Sequence, residues 1–353
     1  MGRVKRKKET NALEILLTYK GLVWPFVETS LKKPLFPSAF DVPSRYFSEH
    51  RFFWKVVKDY PKRQGKYLRP ALLLLTARAM GVKINKPLLT VASAMQISED
   101  FILVHDDIQD NSIQRRGSPA LHLVYGVNNA INAGDALQAL MWQEIAKVNN
   151  KKIQSEFFRI ILRTMIGQTT EEKWKTKAIE AQSEKDWYFI TDSKSAYYTI
   201  AGPMRLGAIM AGAKKNELEK ISLFGLYMGR CFQLIDDILD ARGNFKGLKK
   251  KNGNDIREGK FTIILGHLVK AASETDRELI LKIVKKSKKT DKEVKIILAL
   301  MEKYKSLEYA RKIAQEYKEK ALAYFEEELK FLSKEPFRKR LKILTQFILE
   351  REY

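Results

Sequence analysis

The sequence predicts an all-α protein folded as a single large helical bundle. Its 353 residues, 45% of them hydrophobic, are enough to bury a substantial core. Alternation of apolar and polar residues with a period of two, which is typical of half-buried strands, is nearly absent. No proline lies between Pro203 and Pro336 and no glycine follows Gly266, so little in this half interrupts long helices.

The N-terminal part is expected to be less regular than the rest. Residues 1–10 form a basic arm that we expect to be flexible, and five of the ten prolines lie within the first 61 residues. This pattern predicts a short opening helix near Ala12 to Tyr19, followed by an irregular segment. We expect one domain that spans residues 1–353.

Two segments, Leu88 to Ile108 and Leu218 to Leu239, are apolar on nearly all sides. A helix with so little polar surface is normally central in a bundle, so we expect these two to form an inner layer. The stretch from Leu307 to Leu332 instead repeats apolar residues at every fourth position, which predicts an amphipathic helix. Its apolar positions are Tyr309, Ile313, Tyr317, Ala321 and Phe325.

The composition excludes several classes of protein. One cysteine, Cys231, leaves no internal disulfide framework, and one cysteine with four histidines argues against a structural zinc site. No stretch approaches the ~18 uninterrupted apolar residues of a membrane span, and the basic N-terminus lacks the apolar run of a secretory signal. We therefore expect a cytoplasmic protein without a transmembrane segment, in which any metal is held by oxygen ligands.

The chain is strongly basic, with 65 Lys and Arg against 42 Asp and Glu, a formal net charge of +23. This charge favours an anionic partner, which could be nucleic acid, acidic lipid headgroups or phosphorylated metabolites. The basic arm suggests a peripheral contact with an anionic membrane as a further expectation. Charge alone does not choose among these partners.

Each of the two apolar helices ends in the same pattern of acids, DDxxD. The first cluster is Asp106, Asp107 and Asp110, and the second is Asp236, Asp237 and Asp240. Residues four apart lie on one face of a helix, about 6 Å from each other, so their carboxylates repel unless a cation lies among them. Oxygen ligands in this geometry suit Mg²⁺, which takes its remaining ligands from water and substrate phosphates.

Five short motifs follow one another between Gly65 and Lys260. They are Gly65–Pro70 (GKYLRP), Asp106–Arg116 (DDIQDNSIQRR), Lys194–Ala196 (KSA), Phe232–Asp240 (FQLIDDILD) and Lys251–Lys260 (KNGNDIREGK). In this order they resemble the motifs of the trans-isoprenyl diphosphate synthases, the polyprenyl synthetase family. The resemblance implies the isoprenoid synthase fold, in which central helices surround an active-site cavity. It also implies a prenyltransferase that condenses isopentenyl diphosphate head-to-tail with an allylic diphosphate, by ionisation, condensation and loss of a proton.

The resemblance also implies a role for each matching residue. The two aspartate motifs would face each other and hold about three Mg²⁺ ions on the allylic diphosphate, with Asp236 as the main ligand of the second motif and Asp237 and Asp240 in support. The implied contacts to the allylic diphosphate are Arg115, Lys194, Lys251 and Lys260, and those to isopentenyl diphosphate are Lys66, Arg69 and Arg116. Ser195 and Gln233 would line the path of the carbocation.

Glu99 stands where many relatives carry glutamine or histidine that helps to hold isopentenyl diphosphate, so either it orients Lys66 or Arg69, or this contact is altered. Phe101 and Ile102 precede Asp106 by five and four residues, the positions that set product length in the family. One aromatic followed by an aliphatic residue resembles enzymes that make the C20 product, geranylgeranyl diphosphate, whereas two aromatics resemble makers of the C15 product, farnesyl diphosphate.

Other interpretations make different predictions. A class I terpene cyclase shares the helical fold but needs no second diphosphate site, so Lys66, Arg69 and Arg116 argue against it. A basic helical nucleic-acid-binding protein would account for the charge but not for the two acid clusters. Its binding would weaken as the salt concentration rises and would not depend on Mg²⁺. We therefore expect no nucleic-acid partner. Members of the family are commonly homodimers, which we also expect here.

Overall fold

The computed structural model describes residues 11–32, 37–175, 177–242 and 253–350, and these are mostly helical. In chain order the α-helices are α1 (Ala12–Lys32), α2 (Phe47–Val57), α3 (Asp59–Arg63), α4 (Leu68–Ala79), α5 (Lys86–Gln109), α6 (Leu121–Tyr125), α7 (Val127–Val148), α8 (Lys151–Lys175), α9 (Glu184–Ile190), α10 (Gly202–Met210), α11 (Lys215–Arg242), α12 (Asn254–Glu258), α13 (Ile263–Ala271), α14 (Glu274–Val284), α15 (Asp291–Lys303), α16 (Ser306–Glu328) and α17 (Phe337–Leu349). A π-helix (Thr191–Ala201), short 3₁₀ helices (Pro37–Phe40, Ser44–Tyr46, Ile179–Ala181) and a hairpin of β1 (Gln114–Arg115) with β2 (Ser118–Pro119) complete the regular structure. The predicted all-α class is confirmed.

The prediction for the N-terminal segment was wrong in one respect. Helix α1 does not stop near Tyr19 but continues through Pro25 to Lys32. A proline inside a helix costs about 3 kcal/mol. The second half of α1 buries Val23, Val27 and Leu31, and each such side chain contributes about 1.5–3 kcal/mol, so burial outweighs the local penalty.

The contacts divide the chain into two compact units. Unit 1 consists of Met1–Gln154, Leu206–Ala213 and Phe331–Leu344, and unit 2 consists of Ser155–Arg205, Lys214–Lys330 and Thr345–Tyr353. Each unit contains one of the two apolar helices. The single-domain organisation stays a prediction.

Helix α5 is the central helix of unit 1, where it packs against α1, α4 and α7. It begins with Asn85, whose side-chain oxygen accepts a hydrogen bond from the Leu88 amide at 2.9 Å, and with Pro87 in its first turn. Within the described residues it is the one helix long and apolar enough to cross a membrane, and 78% of its most apolar window is buried. Such burial is typical of the core helix of a bundle.

Helix α11 has the corresponding place in unit 2, where it packs against the π-helix and α16.

Helix α16 confirms the predicted amphipathic pattern with one difference. Tyr317, Ala321 and Phe325 are buried as predicted, but in its first half the buried positions are Ser306, Ala310 and Ala314. The large side chains of Tyr309 and Ile313 therefore lie beside the buried face. On the buried face itself, Ala310 and Ala314 allow close packing.

Candidate active site

The first acidic cluster lies at the end of α5 in unit 1. Asp106 is partly exposed, with 23% of its side chain accessible, whereas the side chain of Asp107 is fully buried. Asp110 is the C-cap of α5, and its amide donates to the Asp106 carbonyl at 2.8 Å. Adjacent residues on a helix point about 100° apart, so the first two acids of the motif face different surroundings.

Asp107 is held by two partners inside unit 1. The hydroxyl of Tyr60 donates to its Oδ2 at 2.5 Å, and Nε of Arg115 donates to Oδ1 at 2.9 Å while Nη2 makes a further short contact. Burial and the hydrogen bond to Asp107 raise the pKa of Tyr60 far above its ordinary value, so this hydroxyl keeps its proton. The Tyr60 oxygen also accepts from the Leu121 amide at 3.0 Å. Asp107 is therefore engaged with protein donors.

The β1–β2 hairpin sends the two predicted arginines in different directions. Its two-residue loop is Arg116-Gly117, both with positive φ, as a tight hairpin turn requires. Arg115, at the end of β1, reaches Asp107 and lies 3.5 Å from Oδ2 of Asp106. Arg63 fixes the hairpin, because its Nη1 donates to the carbonyls of Arg115 at 3.1 Å and Pro119 at 2.8 Å.

Arg116 belongs to a second group of charged residues in unit 1. Its Nη1 donates to Oδ1 of Asp100 at 2.7 Å and to the carbonyl of Tyr60 at 2.8 Å. Glu99 lies 3.3 Å from Nη1 of Arg69 and 3.6 Å from Nη2 of Arg116. Of the two alternatives for Glu99, the geometry favours the one in which it orients cations, and these are Arg69 and Arg116. Lys66 is exposed in the loop before α4.

Asp100 is an unusual carboxyl group because it is completely buried in the core of unit 1. Burial raises its pKa to about 7 in spite of the nearby Arg116 guanidinium. Gly65 lies on the other side of the same guanidinium, and a Cβ at this position would lie 3.1 Å from Nη2 of Arg116. The glycine of the first motif thus leaves room for Arg116.

The residues predicted to set product length lie one turn before Asp106. Phe101 is 1% exposed and its ring meets that of His105 edge-on, with 6.2 Å between centroids. Ile102 is partly buried. Gly134 of α7 faces His105, and any side chain there would collide with the imidazole. His105 is thus packed closely against α7, and the buried ring of Phe101 lies beside it.

In unit 2 a small cavity of about 90 Å³ brings predicted residues together. Those that line it are Lys194, Ser195, Gln233, Asp237 and Lys260. Asp255 of the Lys251–Lys260 motif also lines it, as do residues that the sequence did not indicate, among them Glu171, Trp174, Trp187 and Thr262.

Asp237 is the buried acid of the second motif. Nε1 of Trp187 donates to Oδ2 at 3.2 Å, and Nε2 of Gln233 donates to Oδ1 at 2.9 Å. Burial, and then the charge of Asp255, raise its pKa well above the ordinary value. Asp237 therefore orients Gln233, one of the predicted residues of the cavity.

The other two acids of this motif are partly exposed. Asp240 accepts from the amides of Asn254 at 3.2 Å and Asp255 at 3.0 Å, so it caps the short helix α12. Asp236 does not line the cavity. Lys260 lies 2.6 Å from Glu258, while Lys251 lies outside the described residues.

Lys194 and Ser195 lie on the π-helix. Nζ of Lys194 is 2.5 Å from Oε2 of Glu171 on α8. A Cβ at Gly167 would lie 2.5 Å from the Lys194 amide nitrogen, so this glycine permits α8 to approach the π-helix. A π-helix is rare and often marks a functional site.

The donor set fits a magnesium ion better than a metal caged by protein alone. Among the described residues no group of three or more His, Cys, Asp or Glu could hold a metal ion by itself. Asp106 and Asp110 are partly exposed carboxylates one turn apart, and Asp236 is their partly exposed counterpart in unit 2. Mg²⁺ commonly takes one or two carboxylates and completes its shell with water and phosphate oxygens.

Several residues of the site could not be predicted from the sequence. For Tyr60, Asp100, Glu171 and Trp187 no signal was present, because each meets its partner through contacts distant in sequence. The burial of Asp107 did have a signal, since it follows the buried Val104 by three residues and continues that face of α5. Asp237 follows the buried Leu234 in the same way.

The fold and these residues define an all-α enzyme that acts on diphosphate esters. The family model described as polyprenyl synthetase matches residues 50–301. Geranylgeranyl diphosphate synthase of Methanosarcina mazei is 30% identical over 292 residues, which cover 82% of this chain and 86% of that protein. A short chain isoprenyl diphosphate synthase of Methanocaldococcus jannaschii is 32% identical over 247 residues, which cover 70% and 75%.

Solved structures agree. Geranylgeranyl pyrophosphate synthetase from Pyrococcus horikoshii has a TM-score of 0.79 and 28% identity, covering 96% of this chain and 99% of that one. A polyprenyl synthase from Caulobacter crescentus complexed with calcium and isoprenyl diphosphate has a TM-score of 0.81 at 23% identity, covering 98% and 100%, and supports the fold. The chain belongs to the polyprenyl synthetase family. It is a prenyltransferase that condenses isopentenyl diphosphate with an allylic diphosphate.

Proposed function

We propose that this enzyme makes geranylgeranyl diphosphate and that Mg²⁺ is its metal. The proposal for the metal rests on a difference in burial between the first two acids of each aspartate motif. In both motifs the second acid is buried and bonded to protein donors, and the first is partly exposed. The complex of the Caulobacter polyprenyl synthase with calcium supports a divalent ion.

In this proposal Asp106 and Asp110 in unit 1 and Asp236 in unit 2 are each metal ligands, and Asp107 and Asp237 are not. This revises our expectation for both residues. The oxygens of Asp107 already accept hydrogen bonds from Tyr60 and Arg115, and those of Asp237 accept from Trp187 and Gln233. Mg²⁺, when bound, supplies positive charge that stabilises the leaving diphosphate. Arg115 in unit 1 and Lys194 and Lys260 in unit 2 are each proposed as further cationic contacts of the allylic diphosphate.

The second diphosphate, that of isopentenyl diphosphate, is proposed to bind at Lys66, Arg69 and Arg116. Arginine suits this task because its planar fork pairs with two phosphate oxygens without a metal. Glu99 and Asp100 hold the two guanidinium groups by ion pairs of 2.7 to 3.6 Å, so they are oriented before the substrate arrives. No general base is required in this scheme, since the departing diphosphate can accept the proton.

The proposal for the C20 product rests on Phe101 and Ile102 and on relatives named geranylgeranyl diphosphate synthase. Phe101 is almost fully buried beside His105 and is proposed to close the far end of a prenyl tunnel. An aliphatic residue at 102 leaves more room than a second aromatic would. We expect Phe101→Ala to lengthen the product.

The test is a chain-length assay. Purified protein is incubated with labelled isopentenyl diphosphate and a C5, C10 or C15 primer, with and without a chelator. A C20 product that disappears with the chelator supports the proposal. A product that stops at C15 refutes the C20 assignment, turnover in the chelator refutes the metal, and Phe101→Ala with unchanged product length refutes the role of Phe101.

We also propose a homodimer. Helix α8 exposes an apolar stripe in unit 2, formed by residues on three successive turns. These are Phe158, Leu162, Met165 and Ile166, exposed by 56, 41, 39 and 54%. A second copy of the chain is the proposed occupant, and Phe158→Glu should yield monomers in light scattering after gel filtration. Leu279→Glu, at an exposed leucine of α14, is the matched control, and a Phe158→Glu protein of unchanged mass contradicts the assignment.

A cytoplasmic location, with peripheral contact between the N-terminal region and an anionic membrane, is also part of the proposal. Arg3, Lys5 and the run 6–8 are basic, and α1 exposes Leu13 and Leu17 by 57 and 64%. Basic residues near an anionic surface contribute about 1 kcal/mol each. Cosedimentation with vesicles that contain phosphatidylserine, but not with neutral vesicles, is the expected result. Failure to sediment with either kind of vesicle contradicts the membrane contact.

A further inference from the structure

The π-helix of unit 2 is held in place by close contacts with its neighbours. A Cβ at Gly225 of α11 would lie 2.6 Å from the Cα of Ala201, and one at Gly229 would collide with Ala196. These glycines allow the two backbones to touch at two points about one turn apart. Gln233 follows Gly229 by one further turn, so the same face of α11 leads into the cavity.

Contacts between glycine and alanine fix distance but not position along the helix axis. Surfaces of such small side chains have few protrusions that interlock, so a directional interaction is needed to fix the register. The long π-helix makes this need greater, because its hydrogen bonds from residue i to i+5 are less favourable than those of an α-helix.

Asp192 and Arg230 provide a directional interaction of this kind. Nε and Nη2 of Arg230 donate to the two oxygens of Asp192 at 2.8 and 2.6 Å, a bidentate ion pair. Nη1 donates to the Tyr317 hydroxyl at 3.1 Å, and the guanidinium lies over the ring of Tyr188, 4.7 Å from its centroid. The side chains of Asp192 and Arg230 are only 13 and 21% exposed.

The location of this pair connects it with the site. Asp192 precedes Lys194 by two residues on the π-helix, and Arg230 precedes Gln233 by three on α11. Lys194, Ser195 and Gln233 all line the cavity of unit 2. No motif in the sequence analysis includes Asp192 or Arg230.

We propose that Asp192 and Arg230 are positioning residues that set the register of the π-helix against α11, and so place Lys194 and Gln233 for the allylic substrate. This inference rests on the proposed function, in which Lys194 contacts the allylic diphosphate. The pair itself touches neither substrate. Its effect should appear in the use of the allylic substrate and not in that of isopentenyl diphosphate, whose proposed contacts lie in unit 1.

The test compares Asp192→Asn, Arg230→Gln and the double variant. Each single change should raise KM for the allylic diphosphate about tenfold and leave KM for isopentenyl diphosphate within about twofold, because misplacement of a binding group is costly. The double variant should be no worse than the worse single one, since each change breaks the same pair. Arg230→Lys should recover only part of the loss, because lysine cannot form the bidentate pair.

Amide hydrogen exchange of apo protein gives a readout that needs no turnover. Exchange across residues 191–201 should rise in the single variants, and Lys220→Gln should change neither exchange nor KM. Lys220 is the matched control because it also lies on α11 and pairs with Glu328 at 2.6 Å, but is 39% exposed.

The possible failures can be told apart. A wild-type protein without turnover contradicts the proposed function, and exchange still tests the pair. If the wild type is active, the inference is overturned when Asp192→Asn leaves both the amide exchange and the KM for the allylic diphosphate unchanged. It is also overturned if the two single effects multiply in the double variant, or if the KM values for both substrates rise equally. If Arg230→Gln does not fold, Asp192→Asn and Arg230→Lys decide the matter by the same two readouts.

Discussion

Asp106 and Asp107 are adjacent acids of one motif, and we expect the same change, Asp→Asn, to affect them in opposite ways. Asp107→Asn should lower the free energy of unfolding, because Asp107 is fully buried and bonded to Tyr60 and Arg115. Asp106→Asn should leave stability nearly unchanged and abolish most turnover, because Asp106 is partly exposed and is the proposed metal ligand.

The contacts of Asp107 and Asp106 give the expected loss in free energy of unfolding for each variant. Hydrogen bonds to a charged group contribute about 1.5–3 kcal/mol each, and breaking a buried ion pair costs about 3–5 kcal/mol. Arg115 keeps 26% of its side chain exposed, and asparagine retains one oxygen for it, so we expect the lower range, about 2–4 kcal/mol, for Asp107→Asn. For Asp106→Asn the loss should stay below about 0.5 kcal/mol, as for other surface changes.

Urea unfolding and a magnesium titration of activity measure the two effects. In Asp106→Asn the residual activity should need a higher Mg²⁺ concentration to reach half of its maximum. In Asp107→Asn this Mg²⁺ concentration should stay near the wild-type value. Equal stability of the two variants, or a shifted Mg²⁺ requirement in Asp107→Asn alone, would refute the assignment of roles.

Three further predictions concern the charged group around Arg116. Glu99→Gln should raise KM for isopentenyl diphosphate about threefold to tenfold, roughly 1 kcal/mol, because a neutral amide holds the guanidinium groups of Arg69 and Arg116 less firmly than a carboxylate; an unchanged or lowered KM in the same assay contradicts the orienting role. Gly65→Ala should raise that KM about twofold to tenfold with little change in urea unfolding, because its Cβ displaces a guanidinium 3.1 Å away, and an unchanged KM would show that Arg116 is not a contact. Burial raises the pKa of Asp100 to about 7 from 3.8, so the folded state holds this proton more tightly and the free energy of unfolding should fall as pH rises from about 4 to 7. Asp100→Asn should reduce that fall in urea titrations at several pH values, and identical slopes would argue against it.

The sequence predicted the central helices well because their signals are local. Helix α5 begins and ends within two residues of the predicted Leu88–Ile108, since an apolar run, Asn85 and Pro87 all act in one place. The predicted helix α1 was too short. The helix-breaking tendency of Pro25 can be read from the local sequence, whereas the burial of Val23 and Val27 depends on neighbours distant in the sequence.

The site could be predicted by residue type but not by task. The motifs identified Arg115 and Arg116 as a pair, and the hairpin turn then separates them, one toward Asp107 and one toward Asp100. Periodicity indicates that a helix has a buried face, but it does not indicate which distant donors satisfy an acid on that face. The partners of Asp107 and Asp237 therefore required coordinates.

The buried acid of each motif has a consequence for its neighbours. Placing a carboxylate in the core is unfavourable unless donors surround it, and the donors found here hold it at fixed positions: Tyr60 and Arg115 for Asp107, Trp187 and Gln233 for Asp237. A side chain so held fixes the rotation of its helix about the axis, and adjacent residues differ by about 100° in direction. The second aspartate therefore determines where the first one points. The two acids of a DD pair are therefore not interchangeable in our proposal, in which the first binds the metal and the second fixes the direction of the first.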